Sequence, residues 1–223
     1  MITVTNYDHL HKAMRDGEAV PRWASGALGA VASNRTNVVG VRHPLGFLCL
    51  PLERDDAVGI CVHLWSESLP RTNPTTSMIH AHSWDLISYV LYGSVRNEVI
   101  DVTDAPDDAM YRVFEIRSGR EVDEVRETPR LVRCRIRAAE LNHQGDVYSL
   151  DAGTFHATVV RGEAATLALG SGRPATLDLS LGGIHRTTHR VRRQRCDRDE
   201  TAHAARMVAQ RLEGIGTVDQ EDR

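Results

Sequence analysis

The sequence predicts a mainly β protein with helices at both ends, and three observations carry that reading. From Asn37 onward the apolar residues are β-branched and alternate or run in short blocks, the pattern of strands. Turn-forming clusters such as Pro44-Leu45-Gly46 and Glu53-Arg54-Asp55-Asp56 separate those blocks at short intervals. Before residue 35 and after residue 196, the apolar residues instead recur at helical spacing. These changes of period divide the chain into an N-terminal helical segment (1–35), a β-barrel (36–195), and a C-terminal helix with a tail (196–223).

Residues 6–16 read as a short helix with Tyr7, Leu10 and Met14 on one face, capped by Thr5 or Asn6 and ended by Gly17. His9 and His11 lie two apart on that helix, point in different directions and are expected in solvent. Pro21 is placed to open a second helix with Trp23, Ala27 and Val31 at helical spacing. NVVGVRH, GFLCLPL and AVGICVHLW follow as strands. In the last of these, Cys61, His63 and Trp65 share one face and Ile60, Val62 and Leu64 the other. His63 therefore either lines the barrel interior, or is a buried histidine bonded to a neighbouring carbonyl or a group on the outer sheet face, and the latter reading is favoured. SVRNEVIDV, the acidic turn Thr103 to Asp108, MYRVFEIR and EVDEVRE continue the pattern, with a hairpin about Ser118-Gly119. LVRCRIRAA alternates strictly, so Arg133, Arg135 and Arg137 are expected on the wet face of a half-buried strand. IHRTTHRVRRQR (184–195) holds five arginines and two histidines without interleaved aromatics, and reads as a charged edge strand. Asp197 and Glu200 approximate a capping box for a helix bearing Ala204, Val208, Leu212 and Ile215 on one stripe. That helix is expected to stop near Gly214 to Gly216, with a mobile tail from Thr217.

Candidate chemistry centres on SMIHAHSWDLISYVLYG (77–93). His80 and His82 are one residue apart in an extended run, so both imidazoles project from one side, spaced to grip one metal ion. His156 follows a glycine turn in DAGTFH (151–156) and opens a later strand. Three imidazoles meeting in a barrel would leave coordination positions open, which is the layout of a reactive rather than a structural metal site. Asp85 is either a fourth ligand, a group that orients a metal-bound histidine, or a strand-entry residue bonded to backbone or to Ser88. Tyr148 sits on the strand before His156, as a proton relay or as packing in the barrel wall. Trp84 and Tyr89 are read as wall residues, and His143 as exposed.

These two segments resemble the cupin superfamily. Its first motif, His-x-His followed by an acidic ligand and a glycine, is matched by His80, His82 and Gly93; its second, a glycine shortly before a histidine, by Gly153 and His156. Leu86 and Ile87 stand where the family carries its acidic ligand. Among cupins, the cysteine dioxygenase-like thiol dioxygenases also lack that carboxylate and hold iron with three histidines. The resemblance covers roughly residues 40–185. It implies a double-stranded β-helix, the cupin jelly-roll barrel. It also implies a metal site of His80, His82 and His156, with Fe(II) as the leading cofactor and Zn, Mn or Ni as alternatives. The function so implied is a non-haem Fe(II) dioxygenase acting on a small polar thiol or amino-acid-like substrate. A non-oxidative metal cupin (isomerase, lyase or decarboxylase) and a ligand-binding cupin without turnover are the alternatives.

Composition narrows the partners. The chain has 223 residues, 41% of them hydrophobic, and a formal charge of -3, which gives no general attraction to nucleic acid or anionic membrane. Lys12 is the only lysine, so arginines such as Arg42, Arg71, Arg96, Arg133 and Arg135 are the candidates to hold an anionic substrate, with dioxygen as co-substrate. Cys49, Cys61, Cys134 and Cys196 form no C-x-x-C pair, which argues against a disulfide scaffold and against thiolate zinc sites. No apolar run reaches the roughly 20 residues that span a bilayer. The polar start lacks a signal-peptide core, so a cytoplasmic location is expected. A homodimer through the C-terminal helix or an edge strand stays open.

Overall fold

The structure is a computed structural model that describes residues 4–16 and 19–221. Two helices, α1 (Val4–Asp16) and α2 (Ala19–Ala32), precede a run of strands: β1 (Val41–Arg42), β2 (Leu48–Arg54), β3 (Val58–Trp65), β4 (His80–Ala81), β5 (Trp84–Tyr92), β6 (Ser94–Asp104) and β7 (Tyr111–Arg117). The chain continues through β8 (Val122–His143), β9 (Val147–Leu150), β10 (His156–Val159), β11 (Ala164–Gly172), β12 (Asp178–Gly182), β13 (His189–Arg192) and β14 (Gln194–Arg195), and ends in α3 (Arg198–Glu221). The strands form two antiparallel sheets. One has the order β14-β1-β2-β3-β11-β5-β9, the other β13-β8-β6-β10-β4-β12-β7. Neighbours within a sheet are mostly distant in sequence, so the chain crosses repeatedly from one sheet to the other, as in the expected jelly roll. The fold is mainly β, two antiparallel sheets with helices at both ends.

Strand alternation explains how the first sheet serves two environments at once. Leu50, Ile60, Val62, Leu64, Tyr89, Leu91, Leu167 and Leu169 point outward and pack with Leu10, Met14, Leu28, Val208 and Leu212 of the three helices in one continuous core. The intervening residues Cys49, Cys61, His63, Trp65, Leu86, Tyr148 and Leu150 turn the other way and line a cavity between the sheets. Tyr89 is thus a helix-packing residue and not the cavity-wall residue expected, whereas Trp84 does line the cavity.

The helices follow their caps, with some shifts. Asp197 and Glu200 form a reciprocal box: the Glu200 N–H donates to Asp197 Oδ1 (2.8 Å) and the Asp197 N–H to Glu200 Oε2 (2.9 Å). The helix they start runs past Gly214 to Glu221, because glycine weakens a helix without removing its N–H. The expected stop at Gly214 to Gly216 is therefore not made. Residues 217–221 of the expected tail are helical, and residues 222–223 lie outside the described residues. Helix α1 begins at Val4, so Thr5 and Asn6 lie inside it and do not cap it; Asn6 Nδ2 instead donates to Glu53 Oε1 (2.7 Å). Gly17 lies outside the described residues. The buried stripe of α2 is Val20, Ala24, Leu28 and Val31, one residue off the Trp23-Ala27-Val31 face expected.

Two strand expectations are also revised. EVDEVRE and LVRCRIRAA are one strand, β8, of 22 residues. Its alternation buries Val132, but Ile136 is 54% exposed: β8 there still pairs with β6, opposite Ile100 at a shift of register, and residues on both of its faces meet water. The run 77–93 is not one strand but two, β4 and β5, in different sheets. At Gly93 the chain turns with φ of 75°, and a Cβ there would lie 2.2 Å from the Glu163 carbonyl oxygen, so only glycine fits.

Replacing Asp197 with Ala should lower stability by about 1 kcal/mol, the usual cost of a lost N-cap. Urea unfolding followed by circular dichroism checks this, with Asp197→Ser expected to recover most of the loss.

Candidate metal centre

The break between β4 and β5 falls at His82-Ser83, where the chain leaves one sheet and enters the other. Its backbone groups are satisfied from the second histidine segment and its neighbours. The Gly153 N–H donates to the His82 carbonyl (2.8 Å), the Arg173 N–H to the Ser83 carbonyl (2.9 Å), and the Ser83 N–H to Asp178 Oδ1 (2.7 Å). Gly153 holds the turn before His156 at a φ of 80°, a region that side chains other than glycine seldom adopt. Strand β10 then pairs with β4 so that His156 lies directly opposite His80.

The three histidines therefore converge. One nitrogen from each lies within 4.8 Å of the other two, and the ring centroids are 4.2, 4.7 and 5.1 Å apart. Nδ1 of His80 is 2.9 Å from the Met78 carbonyl and Nδ1 of His156 is 3.1 Å from the Thr154 carbonyl. A carbonyl only accepts, so both Nδ1 atoms carry the proton and both Nε2 atoms keep their lone pairs. Nε2 of His80 faces Nε2 of His82 at 3.2 Å. Nitrogens bound at about 2.1 Å to one cation lie roughly 3.0–3.4 Å apart, so this pair already has the spacing a shared metal requires. Burial, and after it the neighbouring histidines, hold His80 and His82 well below the usual imidazole range; burial also lowers His156. The cluster is neutral at ordinary pH and ready to donate.

Asp85 takes no part in the cluster. Its carboxylate accepts from the Ala152 N–H (2.9 Å) and from Arg173 Nε (2.6 Å). Arg173, then the Ala152 amide, hold this carboxyl below its ordinary value. Through these two contacts Asp85 joins the loops that carry Ala152 and Arg173. Tyr148 lines the same cavity, 8% exposed; burial raises its phenol, opposed by Ser88, Asn97 and Thr166 beside it.

The cavity that the histidines line measures about 1370 Å³. Arg54, Arg190, Arg192 and Arg193 are on its rim. The arginine-rich run 184–195 is thus a rim element as well as an edge: β13 pairs with β8 of one sheet and β14 with β1 of the other. Several arginines expected at the mouth are engaged elsewhere. Arg133 and Arg135 pair on the outer surface with Asp108 and Asp101, Arg96 pairs with Glu98, and Arg42, though beside the cavity, pairs with Glu200. His9, His11 and His143 are exposed as expected.

The structure also assembles a group that spacing alone did not reveal. Ligand atoms of Cys49, Cys61 and His63 lie within 4.8 Å of one another on the cavity wall. The Cys49 thiol, and less strongly His63, hold the Cys61 thiol well below its ordinary value against the opposing push of burial. The signal was present in the hairpin: a turn at residues 53–56 folds Cys49 back opposite His63, two residues from Cys61. His63 faces the cavity against Phe47 (4.7 Å), and not a neighbouring carbonyl or the outer sheet face as its sequence reading favoured.

No family model and no curated protein matches the chain. Among solved structures it is similar to a cupin superfamily protein from Desulfitobacterium hafniense, at 14% identity over 57% of this chain and 78% of that chain, with a TM-score of 0.33. It is also similar to a hydroquinone 1,2-dioxygenase from Sphingomonas sp. TTNP3 with 4-hydroxybenzoate bound, at 10% identity over 56% of this chain and 65% of that chain, with a TM-score of 0.32. A cupin-2 domain containing protein from Shewanella frigidimarina gives 9% identity, 56% and 79% coverage, and a TM-score of 0.30. Likenesses this remote say nothing about activity. The strand order and the three-histidine geometry define the class: a two-sheet antiparallel β protein with a candidate metal centre. No helix among the described residues is long and apolar enough to cross a membrane.

Two outcomes follow from this geometry. Replacing His80, His82 or His156 with Ala should remove about one bound metal ion per chain, with an unchanged circular dichroism spectrum; elemental analysis of purified protein measures it. His43, whose ring stacks on Phe47, has its pKa lowered to about 3, mainly by burial and then by His63 and Arg193. The unfolded chain therefore takes up a proton near pH 6.5 that the folded chain refuses until about pH 3, and stability falls as pH drops through that window. His43→Gln should flatten the metal-free protein's pH–stability curve there by up to about 1.4 kcal/mol per pH unit, read from urea midpoints.

Proposed function

We propose that the protein is a metal-dependent enzyme, a non-haem Fe(II) dioxygenase that acts on a small, polar, anionic thiol or amino-acid-like substrate. The observation that supports this most is the donor set: three neutral imidazole nitrogens converge, and no carboxylate joins them among the described residues. Imidazole suits iron, and three ligands leave one face free. Fe(II) held there by His80, His82 and His156 would bring a substrate and dioxygen together and activate the oxygen.

The chain's own residues prepare that meeting. The Met78 and Thr154 carbonyls fix the tautomer and tilt of His80 and His156, so their lone pairs are aimed before any metal arrives. Arg190 and Arg192 on the rim draw an anion inward, while Phe47, Trp65 and Trp84 line the cavity and exclude water from part of its wall. Tyr148 keeps its proton at neutral pH because burial raises its pKa, so its hydroxyl is available to donate toward a substrate in the cavity.

Protein reconstituted anaerobically with Fe(II) should consume oxygen only when a small anionic thiol or amino acid is added. Tyr148→Phe should keep its iron yet lose about 100-fold in kcat. An oxygen electrode and a panel of thiols and amino acids provide the measurement. Uptake at background across the panel, with iron at one per chain, would remove the dioxygenase reading and leave a Lewis-acid role for the same three histidines.

A further inference from the structure

We propose that Cys49, Cys61 and His63 form a second metal site, which takes one thiophilic cation of the Zn²⁺ class on the wall of the cavity that the three histidines line. The hairpin of β2 and β3 builds it. Cys49 is paired directly with His63, and Cys61 lies two residues back on the same strand, so all three side chains leave one face of the sheet together. The intervening Leu50, Ile60, Val62 and Leu64 point into the helix-packed core, which fixes that face and holds the donors rigidly. One sulfur or nitrogen from each residue lies within 4.8 Å of the other two. Ligands about 2.0–2.3 Å from a tetrahedral zinc are roughly 3.4–3.8 Å apart, so modest side-chain rotation closes the site.

The geometry favours a cation over a disulfide. Cys49 and Cys61 are diagonal neighbours across the strand pair, a relation that usually sets Cβ atoms roughly 7 Å apart. A disulfide requires about 3.8 Å, whereas a metal between two thiolates and an imidazole spans the larger gap. On binding, the two thiols release their protons to solvent and the imidazole donates in its neutral form, so the cation gains two negative charges and a tetrahedral position stays open. That donor set is softer than the all-nitrogen cluster, so the two groups sort different cations: thiolates select zinc and its heavier analogues, while imidazoles alone accept iron. Both groups line one cavity, and a ligand held at one therefore lies within the same enclosed space as the other.

Cadmium is the probe, because its thiolate complexes absorb in the ultraviolet and its imidazole complexes do not. Reduced wild-type protein titrated with Cd²⁺ should bind two ions per chain, one of which produces the thiolate band. His80→Ala/His82→Ala should lose the other ion and keep the band. Cys49→Ser/Cys61→Ser should abolish the band and keep one ion, and Cys134→Ser/Cys196→Ser should leave it unchanged. A wild-type protein without the band overturns the proposal, as does a band that survives in Cys49→Ser/Cys61→Ser. Should that variant fail to fold, the Cys134→Ser/Cys196→Ser variant decides: a retained band supports the site, and a lost band refutes it. None of these readings depends on oxygen chemistry, so the dioxygenase assignment and this site can fail separately.

Discussion

The rest of the structure depends on one crossing. Between β4 and β5 the chain steps from one sheet to the other at His82-Ser83, and a step of this kind exposes backbone groups that neither ladder can pair. Here the loops of the second half pair them. Gly153 reaches His82, Arg173 and Asp178 reach Ser83, and Asp85 clamps Arg173 and Ala152 in turn. The cost of leaving buried amides and carbonyls unpaired thus ties residues 80–85 to residues 151–178. That same tie sets His156 opposite His80.

A second constraint acts through the first sheet. Its strands present one apolar face to three helices and the other to the cavity, so every residue of the period-two pattern is committed to one environment. A slip of one residue in β3 would drive Cys61 and His63 into the helix core and turn Ile60 and Val62 toward the cavity. The helices, remote from the histidines, therefore hold the register of the wall that carries the thiol group. Asp197 and Glu200 contribute to this as well: their capping box begins α3, and Glu200 also pairs with Arg42 of β1, the strand beside β14 at the cavity rim.

Charge is divided by position. The outer strand β8 pairs Arg130, Arg133 and Arg135 with Asp104, Asp108 and Asp101 in solvent, where such pairs contribute little stability. The rim instead carries Arg190 and Arg192 on a segment that bridges the two sheets. Arginine-rich runs that look alike in sequence thus take different roles, and the distinction lies in which strand each segment meets.

The amino-acid order alone determined what depends on neighbours a few residues apart: the change from helical to strand period, the turn chemistry, the box at Asp197 and Glu200, and the His80-x-His82 pair. Such features are local, because dihedral preference, capping and side-chain alternation act within a turn or a strand. The glycine turn at 151–156 marked His156 as a candidate partner for that pair, the resemblance to cupins implied the same, and β10 pairs with β4 so that His156 lies opposite His80. Only the tertiary structure decided that Asp85 faces Arg173, that Tyr89 packs on the helices, and that residues 77–93 are shared between two sheets. The same holds for the cysteines, which look isolated along the chain because their relation is made by cross-strand register. A period-two pattern states which face a side chain takes; it does not state which distant strand supplies the neighbour.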